Sequence, residues 1–401
     1  MKNSVRIAAI AIIAILCSSL AYADDFITIR LSYKVVLNPA DGKRPPAVTD
    51  KKINDAVAGM NTLMATYYRG LRFQRVGAIT EVGAKDDTTG PSIWYSTDFF
   101  EDGGLYKMEE AAKNDQATYA WDVNAINIYI TNGISGGICS YPPKDIIVVG
   151  SSGYTLSQVQ LHEIGHYFDL CHTQGCPCEC WAKADTDCNK SPGDDGVDDT
   201  LPDVASWDDD WIAEWSFNQL YNELTTGQKN QVDDVFKNIM SYHDYTNLCG
   251  ARIGNATTRL TELQLDKWTD TASWSRRNVT NGRTHFVKVG GTRFPFSSGS
   301  STNPHGSVST ATFWVKDGDI ILLRAGYYNE KVKIDKKRVT LRATRGGPVV
   351  IGSSPPASLI AVQNRMREAL VETAKKIQIA PSTLTDTVRV RLGFAGEDKK
   401  E

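Results

Sequence analysis

His162-Glu163-Ile164-Gly165-His166-Tyr167-Phe168-Asp169-Leu170-Cys171-His172 gathers three imidazoles and two carboxylates within eleven residues. If Val159 to Phe168 is helical, His162 and His166 stand one turn apart on one face, with Glu163 alongside as a base. Both rings can then reach a single cation. His172 follows His166 by six residues, too far along to share that face, so the helix is predicted to stop and the chain to turn at Asp169. Three neutral imidazoles suit zinc and leave a coordination position open for water. A bare His-Glu-x-x-His recurs by chance, and helical histidines often only satisfy core hydrogen bonds. Two further features argue against that plainer view: the third histidine, and Asn238-Ile239-Met240-Ser241-Tyr242, a Met in a turn-like context 68 residues beyond His172.

The start of the chain bears on where such a site works. Residues 1–23 have the form of a secretory signal: Lys2 and Arg6 are the basic start, Ile7 to Cys17 is an apolar run of 11, and Ala21-Tyr22-Ala23 offers small residues for cleavage. Eleven residues are too few to span a bilayer, so a secreted or periplasmic chain with no transmembrane segment is expected. A net charge of −3 gives no footprint for nucleic acid. Past the signal lie Cys139, Cys171, Cys176, Cys178, Cys180, Cys188 and Cys249; in an oxidising compartment most should pair, and the odd number leaves one over. The alternating Cys176, Cys178 and Cys180 could instead hold a soft metal, and connectivity does not follow from sequence.

Between signal and motif, Phe26 to Leu37 alternates as a strand, and Thr49 can cap a helix from Asp50 to about Tyr68, with Ile53, Val57, Met60, Met64 and Tyr67 on one stripe. Leu71 to Ile79 is a second expected strand. Asp86 to Gly104 has the composition of a long surface loop, and Glu109 to Asn114 that of a helical turn. Ala125 to Thr131 and Asp145 to Val149 are strands flanking a Gly-rich turn at Gly133 to Gly137.

Taken together, these features resemble the metzincin zinc metalloproteases, and within them the pappalysin family, over roughly residues 27–274. The resemblance rests on the three histidines with Glu163 and Thr173, on Gly193-Asp194-Asp195-Gly196-Val197-Asp198-Asp199-Thr200, on Asn238-x-Met240-Ser241-Tyr242, and on Cys249 with the Thr261 to Trp268 helix behind it. It implies an α+β fold: a metzincin-like catalytic domain with a twisted mixed sheet and an active-site helix. It also implies a zinc endopeptidase with His162, His166 and His172 as ligands, Glu163 as general base, Met240 as the floor beneath the histidines and Tyr242 as oxyanion partner. The family has Gly where this chain has Asp169; Asp is among the few residues that tolerate the positive φ needed there. Calcium is implied in the acidic segment, where eleven acidic residues and one basic residue fall between Asp185 and Glu214. The candidates are Asp194, Asp195, Asp198, Asp199 and Thr200. The resemblance further ties Cys249 to the cysteine-rich loop.

The expected layout is a catalytic domain at 24–275, a linker at 276–304, a β-rich module at 305–355 and a C-terminal helix with charged tail at 356–401. Short strands at Asp319 to Arg324, Lys331 to Ile334, Val339 to Ala343 and Val349 to Ile351 resemble the opening coils of a right-handed parallel β-helix. Too few coils are present to carry over any sugar-cleaving activity. Cell-surface or polysaccharide contact is the role expected of that module. Leu359, Val362, Met366, Leu370 and Ile377 form a helical stripe. Protein or peptide is the expected substrate. The competing class is a non-catalytic adhesin or carbohydrate-binding protein with the zinc fold as scaffold, from which an intact Glu163 distinguishes an enzyme.

Overall fold

The computed structural model describes residues 26–352, apart from 101–102, 176–183, 185, 187–192, 206–208, 244–258, 337 and 345–346. The signal-like segment, the stripe from Leu359 to Ile377 and the charged tail lie outside them. Phe26–Arg283 forms one compact unit, and the described residues from Thr284 onward belong to a second.

The first unit is built around β1 (Ile27–Val36), eight of whose ten residues are buried. It pairs in parallel with β2 (Leu71–Arg75) and β3 (Thr80–Val82), and on its other side with β4 (Ile126–Thr131). Beyond β4 runs β6 (Ile146–Gly150), also parallel, and β5 (Gly137–Cys139) ends the sheet antiparallel to β6. β4 and β6 are buried at every residue, which is why they read as near-continuous apolar runs: both faces of the sheet are covered. The sheet is therefore mixed, as expected, with one strand at its edge that the Gly-rich turn concealed.

On one face lies α1 (Asp50–Ala65), capped by the Thr49 side chain accepting from the Lys52 amide, with Ile53, Val57, Met60 and Met64 buried. The opposite face carries a core of Val36, Trp94, Tyr95, Phe99, Leu105, Met108, Tyr129 and Val148. Three expectations change here. The segment expected as a surface loop contains a 3-10 turn at Pro91–Ser96 and buries Trp94, Tyr95 and Phe99, so its aromatic content was core material. The helical turn expected at Glu109 extends to a full helix, α2 (Gly104–Asn114). The strand expected from Leu71 to Ile79 also ends early, at Arg75. Lys34 is wholly buried; its ammonium donates to Ser32 Oγ and Asn127 Oδ1 and sits 5.4 Å from the Tyr129 ring centre, and burial lowers its pKa to about 7.

After β6 comes α3 (Ser157–Tyr167), which carries His162 and His166. It packs on α1 so closely that a methyl at Gly59 would lie 2.1 Å from Ser157 Oγ. From beneath, the Tyr33 hydroxyl of β1 donates to Gln160 Oε1. Among the described residues, three more α-helices belong to the unit: α4 (Asp209–Phe217), α5 (Thr226–Phe236) and α6 (Glu262–Ser273). Val204, Trp211, Ile212, Val232, Val235 and Phe236 form a separate core there.

The boundary between units differs from the expected one. Residues 276–283 are not linker, because Thr280 bridges Ile29 and the Asn281 side chain accepts from the Thr28 amide. Nor are 284–292, which form β7 (Thr284–Thr292). The second unit continues with α7 (Val308–Trp314), β8 (Ile320–Leu323), β9 (Gly326–Tyr328), β10 (Thr340–Ala343) and β11 (Val349–Ile351). β8 pairs in parallel with both β7 and β10, and β9 with β11. Lys331 to Ile334, expected as a strand, is irregular. Val287, Val308, Ala311, Val315, Ile321, Leu323 and Tyr328 make its core. Among the described residues, no helix is long and apolar enough to cross a membrane.

Candidate metal centre and catalytic residues

The turn after α3 decides whether His172 can reach the other two rings. Asp169 adopts φ 71°, the Leu170 amide donates to the Gly165 carbonyl at 2.9 Å, and the Asp169 amide to that of His166 at 2.9 Å. That pair of bonds is the Schellman ending of a helix, in which one left-handed residue reverses the chain and satisfies the last carbonyls. Aspartate thus does here what glycine usually does. The returning Leu170 carbonyl then accepts from His166 Nδ1 at 2.7 Å, so the turn also orients the second imidazole. Asp169→Gly should keep or slightly raise stability, while Asp169→Ala, lacking both glycine's freedom and aspartate's local hydrogen bonding, should lose about 1 kcal/mol in denaturant unfolding. Equal stability of all three proteins would show that the turn carries no strain. The carboxylate's contact with Lys267 Nζ, 3.4 Å at a part-exposed pair, adds little.

The three Nε2 atoms converge: His162 to His172 is 3.0 Å, His166 to His162 is 3.1 Å and His166 to His172 is 2.9 Å. His162 Nδ1 lies 2.6 Å from the Ile239 carbonyl oxygen, as His166 Nδ1 lies against that of Leu170. A carbonyl accepts only, so each of these Nδ1 atoms carries the proton and each Nε2 presents a lone pair. Facing lone pairs at 3 Å repel; a cation between them removes the repulsion. Burial, and then the neighbouring rings, push the pKa of His166 and His172 down, which keeps both neutral as ligands must be. Among the described residues this is the one group of three or more His, Cys, Asp or Glu side chains whose ligand atoms lie within 4.8 Å of one another.

Met240 lies beneath the three histidines. It is fully buried, and a methyl on Gly165, between the two helical histidines, would meet its Sδ at 2.4 Å. Tyr242 is 41% exposed, with its ring centre 4.1 Å from that of His172 and 6.0 Å from that of His162. It is therefore no core tyrosine. Glu163 is buried, and burial raises its pKa to about 8.

Several residues that hold this arrangement, Thr173 apart, carried no sequence signal. The Thr173 amide donates to the Met240 carbonyl at 3.1 Å, and the Thr173 hydroxyl donates to Asp203 Oδ2. Asp203 Oδ1 meets His243 Nε2 at 2.8 Å, all of it buried. This network ties the loop bearing His172 to the loop bearing Met240. The Tyr141 ring packs edge-on to His166 at 5.1 Å. On β5, Gly137 lies against Glu163: a methyl built on it would sit 2.6 Å from Cγ and 2.8 Å from Oε1.

The acidic segment is occupied differently from what was expected. Asp195 Oδ1 accepts from the Thr200 hydroxyl at 2.6 Å and the Val197 amide at 3.2 Å, and its Oδ2 from Gln264 Nε2 at 2.7 Å. Gln264 Oε1 in turn accepts from Asn238, whose own Oδ1 holds the Met240 amide at 2.9 Å. Asp199 takes the Thr261 hydroxyl and the Leu263 amide at the start of α6, and Asp194 the Gly196 amide. These carboxylates, with Asp198, do not gather around a common point. Calcium is thus unsupported at Asp194, Asp195, Asp198, Asp199 and Thr200; hydrogen bonds from protein donors brace the loop. Cys139, expected in a disulfide, is a free thiol donating to the Ser140 carbonyl at 3.2 Å. Cys171 is buried, and Cys176, Cys178, Cys180, Cys188 and Cys249 lie outside the described residues.

No family model matches the chain, and no curated protein does. Among solved structures, mature mirolysin of Tannerella forsythia in complex with a cleaved peptide is 15% identical, covering 63% of this chain and 95% of its own, with a TM-score of 0.38. A mutant of promirolysin from the same organism is 16% identical, covering 64% and 84%, with a TM-score of 0.39.

Proposed function

We propose that this chain is an exported zinc endopeptidase with a metzincin-type catalytic unit, akin to the pappalysin family, that hydrolyses peptide bonds in proteins. The observation that supports it most is the convergence of three Nε2 atoms, two with protons fixed on Nδ1, beside the buried Glu163. Three neutral imidazoles fit zinc and not a hard, oxygen-seeking cation. Zinc held there supplies a Lewis acid that brings the pKa of a coordinated water towards roughly 7.

The chain's own groups do the rest. Glu163 takes the proton of the attacking water and delivers it to the leaving amine. Tyr242, exposed beside His172, donates its phenol proton to the oxyanion that develops on the carbonyl. β5, the last strand of the sheet, offers backbone groups next to Glu163 to which an extended peptide can add. Export rests on the signal-like segment at 1–23. The parallel pairing of β7, β8 and β10 supports a short β-helix-like module without sugar-cleaving activity.

Purified protein should contain one equivalent of zinc and cleave a mixed protein substrate, with cleavage abolished by a chelator and restored by added zinc. Stoichiometric zinc without any chelator-sensitive cleavage would overturn the protease assignment and leave a non-catalytic scaffold.

A further inference from the structure

Among its described residues, the second unit exposes a cluster of aromatic rings. Phe294 is 55% exposed, Phe296 79%, Phe313 67% and Trp314 44%. Three of these rings pack on one another: Phe294 and Phe313 have centres 5.6 Å apart, Phe313 and Trp314 5.3 Å, and Phe294 and Trp314 6.1 Å. They stand on two anchored supports. Phe313 and Trp314 end α7, whose other side buries Val308 and Ala311 and whose first amides, at Val308 and Ser309, donate to the Glu330 carboxylate. Phe294 and Phe296 belong to a turn in which the Phe296 amide donates to the Arg293 carbonyl at 3.0 Å and Asn303 Nδ2 to the Phe296 carbonyl at 3.0 Å. The rings are thus held outward by a rigid base. An exposed apolar patch of this kind marks an interaction surface.

The charge around the rings selects the partner. From Thr284 to Lys316 there is no acidic residue, although the chain as a whole carries −3; exposed Asp317 comes next, and the Glu330 carboxylate is taken up by the first amides of α7. The basic residues in that stretch, Lys288, Arg293 and Lys316, are all exposed; Arg293 precedes Phe294, and Lys316 follows Trp314 by two. Phe and Trp are the side chains that settle at the boundary between lipid headgroups and acyl chains, and Lys and Arg beside them meet anionic headgroups. We infer that Phe294, Phe296, Phe313 and Trp314, flanked by Arg293 and Lys316, insert into the interface of an anionic lipid bilayer and hold the protein on it peripherally.

The test is co-sedimentation of the full-length protein with vesicles of phosphatidylcholine containing phosphatidylserine, against vesicles of phosphatidylcholine alone and against an insoluble polysaccharide. The wild type should sediment with the anionic vesicles, and less as salt is raised. Phe296→Ser with Phe313→Ser should weaken that partition at least tenfold, with thermal midpoint and peptide hydrolysis in solution unchanged. Arg293→Glu with Lys316→Glu should remove the preference for phosphatidylserine. Any of four results would overturn the inference: no sedimentation of the wild type with either vesicle, unchanged partition of the aromatic variant, sedimentation with polysaccharide instead, or an aromatic variant that changes oligomeric state or loses thermal stability. The last would mean that protein covers the rings.

Discussion

Glu163→Gln should bind zinc as the wild type does and hydrolyse peptides at least about a thousandfold more slowly, the scale of a lost general base. The carbonyl-bonded imidazoles form the donor set without Glu163, so the substitution leaves the metal ligands intact. Glutamine has almost the same shape as glutamate but cannot accept a proton from water or return one to the amine. The side chain is buried and β5 is pressed against it, so the amide keeps the position of the carboxylate and only the proton chemistry is lost. The decisive measurement is kcat/KM beside zinc content and thermal midpoint for both proteins. A variant with full zinc and near-normal kcat/KM would remove Glu163 from the mechanism. A variant without zinc would instead show that Glu163 organises the ligands.

What could be read from sequence is what depends on local spacing. A helix puts His162 and His166 on one face whatever surrounds it, and Asp169 had to be the turn because His172 is out of phase with them. The buried strands β4 and β6 announced themselves as apolar runs, β1 by its alternation, and Thr49 as a cap. What could not be read depends on partners distant in sequence. Trp94, Tyr95 and Phe99 sit among Gly, Asp and Thr, a loop composition, yet they fill the core against β3, β4 and β6. Asp195 looked like a cation ligand because nothing in the sequence shows that Gln264, 69 residues on, would donate to it. Asp203 and His243 look like ordinary loop residues until folding joins them to Thr173 and so ties the two loops together. The second unit was begun too late because Ser297 to Asn303 has a linker's composition, whereas Ser297 Oγ bonds His305 inside that unit and β7 has already paired with β8.

Gly137 is the residue of greatest functional consequence that the sequence left unmarked. It lies within a Gly-rich stretch whose natural reading is a turn, yet it opens β5 and its missing side chain makes room for the proposed base. A methyl at Gly137 would lie 2.6 Å from Glu163 Cγ, 2.8 Å from Oε1 and 2.9 Å from Cδ, closer than atoms approach without displacement. Its φ is not in the left-handed region, so alanine fits the backbone and the nearest collisions fall on Glu163. The carboxylate must move by an ångström or so, and misplacement on that scale costs about a hundredfold in rate. Gly137→Ala should therefore lower kcat/KM about a hundredfold with zinc content and thermal midpoint close to those of the wild type. Gly136→Ala is the control: nothing lies within 4 Å of the methyl it would add, so it should hydrolyse substrate at the wild-type rate. If both variants lose activity alike, the strand's flexibility and not the clearance over Glu163 is responsible; if neither does, the carboxylate is free to work from more than one position.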